Sequence, residues 1–144
     1  MSFNFQPGYS TGLQWQATGQ GQVATLLAIA NKSFDWTCLL INVSGSGMNQ
    51  PGRTGRLAGP QDSAVEVTLH YDADNPPYLA PPLIRPGVSG ILLYHHTGIS
   101  RNYPIQIPTI IEKLHFEDGY ETEAKWGVSL KENAYAGLFV LPAA

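Results

Sequence analysis

On either side of an Asp118-Gly119 pair, apolar and polar side chains alternate from residue 105 to residue 131. Two alternating runs joined by Asp-Gly predict a β-hairpin, because a tight primed turn needs positive φ, which Asp and Gly supply at little strain. On the return run Tyr120, Thr122, Ala124, Trp126, Val128 and Leu130 share one face, and Glu121, Glu123, Lys125, Ser129 and Lys131 share the other. The outgoing run sets Ile110, Leu114 and Phe116 against Ile111, Lys113, His115 and Glu117. Each arm then has an inward side and a wet side, with Glu121 and Glu123 as a lumen- or solvent-facing acidic stripe. Both arms exceed the usual strand of about five or six residues. A hairpin that outreaches a small domain is expected to meet something outside it, which points to assembly ahead of chemistry.

The remaining sequence is punctuated in the same β manner. With 15 glycines and 11 prolines among 144 residues, and only 13% charged, the balance suits strands joined by turns and disfavours a helical bundle. Residues 22–30 carry Val23, Thr25, Leu27 and Ile29 on one face and are expected to turn at Asn31-Lys32-Ser33 into a strand over 34–43. In that strand Phe34, Trp36, Cys38 and Leu40 alternate with Thr37, Leu39, Ile41 and Val43, so both faces are apolar and a central position is predicted. Residues 44–60 have no period and too much Gly and Pro for regular structure, which makes them the one long Gly-rich loop. Residues 63–71 set Val65, Val67, Leu69 and Tyr71 against Ala64, Glu66, Thr68 and His70. A strand over 88–97 and a closing strand over 135–141 complete the set. Between them, 72–87 is Pro-rich, and Tyr78-Leu79-Ala80 has room for at most one helical turn. The expected fold is all-β: one antiparallel β-sandwich or barrel domain over 21–144, preceded by a polar, aromatic-dotted N-terminal arm over 1–20.

Charge and composition exclude several function classes. A net charge of −3, with eight Lys and Arg spread along the chain, gives none of the clustered basic surface of a nucleic-acid binder. Cys38 stands alone, so neither an intrachain disulfide nor a Cys-based zinc site is expected. The N-terminus lacks a basic segment followed by an apolar run, and no apolar stretch approaches the roughly 20 residues of a membrane helix. A soluble chain made in a reducing cytoplasm, with no membrane partner, is the expectation.

Catalytic and ligand-binding patterns are thin. His95 and His96 are adjacent, so in a strand they face opposite ways and do not chelate one metal. Asp72-Ala73-Asp74-Asn75 opens like a calcium loop, yet Pro77 stands where the turn glycine belongs and Leu83 where the distal carboxylate belongs. A turn cap explains the run better. Ser44-Gly45-Ser46-Gly47 lacks the strand-to-helix setting of a nucleophile elbow or phosphate loop. Glu117, Glu121 and Glu123 could mimic paired carboxylates, but the sequence implies no apolar pocket around them, and a solvated or lumen-facing stripe explains them better. No catalytic, cofactor-binding or metal-ligating residue is assigned, and no enzyme is expected.

The order of features resembles bacteriophage tail tube proteins. The segment Trp36-Thr37-Cys38-Leu39-Leu40-Ile41-Asn42-Val43-Ser44 is followed by the Gly-rich Gly52-Arg53-Thr54-Gly55-Arg56-Leu57-Ala58-Gly59. Next come the alternating run from Ser63 into the acidic turn at Asp72, the short strand around Pro86-Gly87-Val88, and the terminal hairpin, so that roughly residues 20–141 are covered. The resemblance implies a structural, self-assembling virion protein whose subunits close into hexameric rings that stack into a tail tube. Its implied partners are further copies of itself, other tail proteins and DNA that passes without specific binding. The resemblance also makes the long loop a candidate contact between rings, with Met48, Asn49, Gln50, Arg53 and Arg56 at its centre. Many family members place a helix where this chain has the Pro-rich 73–87. Two alternatives stay open: another tail or virion component, such as a terminator, baseplate or decoration protein, and a carbohydrate-binding β-sandwich using Trp15, Tyr78, Tyr94 and Tyr103.

Overall fold

The computed structural model describes residues 11–19, 21, 23–43, 52–72, 74–79, 82–96 and 104–142. Seven strands follow in chain order: β1 (Gly12–Ala17), β2 (Ala24–Leu26), β3 (Ile29–Val43), β4 (Gly55–His70), β5 (Ser89–His95), β6 (Ile105–Glu117) and β7 (Lys125–Glu132). They form one antiparallel sheet in the order β2-β1-β5-β6-β7-β4-β3. The all-β expectation is met, and among the described residues the only helical element is a 3-10 turn at Ala134–Ala136.

Alternation builds the core. Leu13, Trp15 and Ala17 of β1, Val65, Val67 and Leu69 of β4, Leu92 and Tyr94 of β5, Ile107 and Ile111 of β6, and Trp126, Val128 and Leu130 of β7 are all buried in one cluster. Most of their intervening neighbours are at least partly exposed, as period-two geometry allows, with Pro108 and Thr109 of β6 buried as exceptions. The sheet curls around this cluster, because β2 and β3 stand at opposite ends of its strand order yet only Leu27 and Ala28 separate them. At this corner Ala28 takes a left-handed φ of 57°, and its carbonyl accepts a hydrogen bond from the His70 amide (2.9 Å). Gly90 sits where β5 crosses the Trp15 ring: a Cβ there would lie 2.4 Å from the Gln16 carbonyl oxygen and 2.8 Å from Trp15 Cζ2. Only a hydrogen atom fits that position.

Several expectations change. The hairpin exists, with Glu117 opposite Lys125, but 118–124 form the connection, so Asp118-Gly119 is no two-residue turn and Tyr120 and Thr122 lie outside the strand. Glu112 is the extra residue of a β-bulge between Ile111 and Lys113. That extra residue shifts the alternation, so Ile111, opposite Leu130, joins the inward face instead of the charged one. The hairpin is also central, since β5 and β4 flank it. Asn31-Lys32-Ser33 lies within β3, and β2 pairs with β1. Strand β3, predicted central, is at the edge of the order. Gly12–Ala17, placed in the N-terminal arm by sequence, forms β1 at the heart of the sheet, while residues 1–10 lie outside the described set. Residues 55–60, read as loop, open β4. The closing strand over 135–141 reduces to a single bridge between Val140 and Gln106.

Candidate assembly surface

Beyond the body of the sheet, β3 and β4 continue together as a ribbon. β4 pairs with β7 only from Ala64 to His70, whereas its pairing with β3 runs on to Gly55 opposite Val43. Residues 36–43 and 55–63 are therefore a two-stranded arm whose partners, among the described residues, are essentially each other. Two-stranded ribbons are marginal alone in water. This one is held by its ladder, by Trp36 Nε1 donating to Gln61 Oε1 (2.9 Å), and by Arg56 Nε donating to Asn42 Oδ1 (3.2 Å). Gly59 and Pro60 stand opposite Leu39 in a bulge, which accommodates a proline inside a strand because the bulge leaves it out of the ladder.

Both faces of the arm are apolar and wet. Trp36 and Leu40 point one way and Leu39, Ile41 and Val43 the other, with Leu57 across from Ile41; all are exposed, Leu39 by 62% and Leu40 by 57%. A lone exposed leucine is ordinary, but a run of them on both sides of a protruding ribbon marks a surface that another molecule covers. At its base the patch continues through Trp36 to Phe139, whose rings lie 5.0 Å apart, and on to the exposed Leu138 and Leu141.

The opposite end of β4 has different chemistry. Tyr71 follows the strand directly, and Phe116, at the end of β6, meets Tyr71 edge-on at 5.9 Å and Tyr78 edge-on at 6.3 Å. Tyr78 and Phe116 remain 40% and 38% exposed. Asp72 directly follows Tyr71, and Asp118 lies two residues past Phe116. Desolvation, then Tyr78, then the Asp118 and Asp72 carboxylates hold the Tyr71 hydroxyl above its usual pKa. Asp72 caps a turn, accepting from the Asp74 amide (3.0 Å) and Asn75 Nδ2 (2.9 Å), and these bonds hold its carboxyl below the usual aspartate range. Arg85 Nε donates to the Tyr78 carbonyl oxygen (2.8 Å) and fixes the segment that carries this ring.

The residues singled out by sequence fall into separate places. Arg53 is exposed in the turn before β4, Arg56 is on β4 itself and not in a loop, and Met48, Asn49 and Gln50 lie outside the described residues. Glu121 and Glu123 are exposed, but they belong to the 118–124 connection and form no strand stripe; Glu123 approaches His70 Nδ1 at 3.1 Å. His95 is buried and His96 exposed, as opposite faces require; His95 Nε2 donates to Gln14 Oε1 (2.7 Å), and burial lowers its pKa. Of the aromatics offered for carbohydrate, Trp15 and Tyr94 are core residues, so these two form no shared surface platform with Tyr78; Tyr103 lies outside the described residues. Sequence reasoning missed the arm. Its signal was present in the two apolar faces of 36–43, which were assigned to burial within one copy.

No protein-family model and no curated protein matches the sequence. Solved structures do. A chain from the tail of an empty GTA particle, refined helically with C6 symmetry, superposes with a TM-score of 0.72 at 19% identity, covering 96% of this chain and 100% of the other. A chain from the virion of a native gene transfer agent particle gives 0.73 at 15% identity, with the same coverages. The SPP1 tail tube gives 0.64 at 13% identity, over 95% of this chain and 79% of that one. The resemblance read from the sequence thus extends to the whole fold: this chain carries the fold found in the tail of a GTA particle and in the SPP1 tail tube.

Proposed function

We propose that this chain is a structural, self-assembling virion protein whose copies close into rings that stack into a tail tube. The observation that carries the proposal is the β3–β4 arm: a ribbon apolar on both faces, on a fold shared along nearly its whole length with a tail structure refined with C6 symmetry. An arm of this kind is a liability in a monomer and an adhesive element in an assembly. The six-membered ring, contact with other tail proteins and the passage of DNA follow from the same reading. The net charge of −3 suits a conduit that repels phosphate and lets DNA slide. Negative-stain electron microscopy at rising protein concentration tests it. Rings or tubes are expected, and a strict monomer at every concentration refutes the proposal.

A further inference from the structure

The arm tip and the aromatic cluster at the far end of β4 are chemically complementary. The outer end of the described arm, its tip, carries Arg53 and Arg56, both exposed. The far end carries the partly exposed rings of Tyr78 and Phe116, packed edge-on, with Asp72 directly after Tyr71 in the chain and Asp118 two residues past Phe116. A guanidinium is the side chain that satisfies such a surface best, since it stacks on an aromatic face while donating in-plane hydrogen bonds to a carboxylate. Among the described residues at this end, Arg85 is held by its Nε on the Tyr78 carbonyl oxygen and Lys125 stands opposite Glu117 and His70.

The two ends cannot meet within one copy. β4 is one 16-residue strand with Arg53 just before its start and Tyr71 just after its end, a chain length of roughly 60 Å between them at about 3.3 Å per residue. Complementary surfaces at opposite ends of one strand join copies head to tail, the heterologous arrangement that gives rings or open stacks instead of closed pairs.

We infer that the Arg53/Arg56 tip of one copy docks on the Tyr78–Phe116 rings and the Asp118 carboxylate of the next copy. This contact rests on the self-assembly proposed above and supplies its head-to-tail chemistry. Apolar faces of the arm provide area, and the tip provides direction: a swapped or inverted neighbour would place carboxylates against carboxylates.

The test uses the full chain and two charge reversals, Arg53→Asp and Asp118→Arg, followed by sedimentation velocity and electron microscopy at low and high salt. Each variant alone is expected to need at least about tenfold more protein than wild type to assemble. An equimolar mixture of the two should regain assembly, because each then offers the end the other lacks; a folding defect in either would not be cured by mixing. Tyr78→Ala, which removes the ring face and keeps the charges, should weaken assembly in both salts. If wild type assembles and both single variants do so equally well, or if the mixture stays dispersed, the contact is wrong while self-assembly stands. A wild type that never assembles removes both.

Discussion

Replacing Leu39 and Leu40 together by Ser should push assembly to much higher protein concentration while leaving the folded monomer nearly untouched. The magnitude follows from exposure. Burying a leucine fully is worth about 1.5–3 kcal/mol, and these two still have 62% and 57% of their surface in water. Covering that remainder on assembly contributes about 2–3.5 kcal/mol per arm. Its loss raises the half-assembly concentration by roughly 20- to 400-fold, at tenfold per 1.4 kcal/mol. The monomer should barely respond, since substitutions at exposed positions shift stability by about 0.5 kcal/mol or less. Sedimentation velocity across a concentration series, with thermal melts of the dilute monomer alongside, measures both quantities. An unchanged assembly midpoint would refute the role of the arm. A large drop in monomer Tm would refute it differently, by showing that these leucines already pack within one copy. The single variants report the two faces separately, because the residues point to opposite sides of the ribbon.

Other consequences concern the body of the sheet. Gly90→Ala forces a methyl group against Trp15 and the Gln16 carbonyl and should destabilise by about 1–3 kcal/mol, seen as a lower urea midpoint with unchanged slope. Ala28→Gly relieves the left-handed corner and should raise stability by up to about 1 kcal/mol in the same assay, provided the His70–Ala28 bond persists. His95 is held neutral by burial, so its folded pKa lies below its unfolded one. Below the unfolded value the unfolded chain binds the extra proton, so stability declines as the pH falls through that window. A urea midpoint followed from neutral pH into mild acid should drop, and His95→Gln should flatten that part of the profile.

Much of this fold is readable wherever one face is dry and the other wet. Val65, Val67 and Leu69, or Trp126, Val128 and Leu130, announce both a strand and its inward side. The hairpin itself is legible too. Its inward face on β6 is not, because a single extra residue at Glu112 moves Ile111 across the sheet, and nothing in the local pattern distinguishes a bulge from continued alternation. The arm escaped for a deeper reason. Apolar residues on both faces say only that both faces become covered, and a sequence does not say whether the cover comes from the same copy. Gly59 and Pro60 compounded this, since they signal a loop unless a bulge absorbs them. The Asp72 cap was read correctly from its spacing, because its hydrogen bonds are made within three residues.

Strand β4 has a mechanical consequence. Its first half belongs to the arm and its second half, from Ala64 to His70, lies between β7 and β3 in the sheet. A neighbour that pulls lengthwise on the arm therefore loads the ladders on both sides of this segment in shear. The hydrogen bonds run perpendicular to the strands and must yield together, whereas peeling would open them one by one. Tension along a chain of copies would pass from arm to core through a single strand interrupted only by the Gly59–Pro60 bulge.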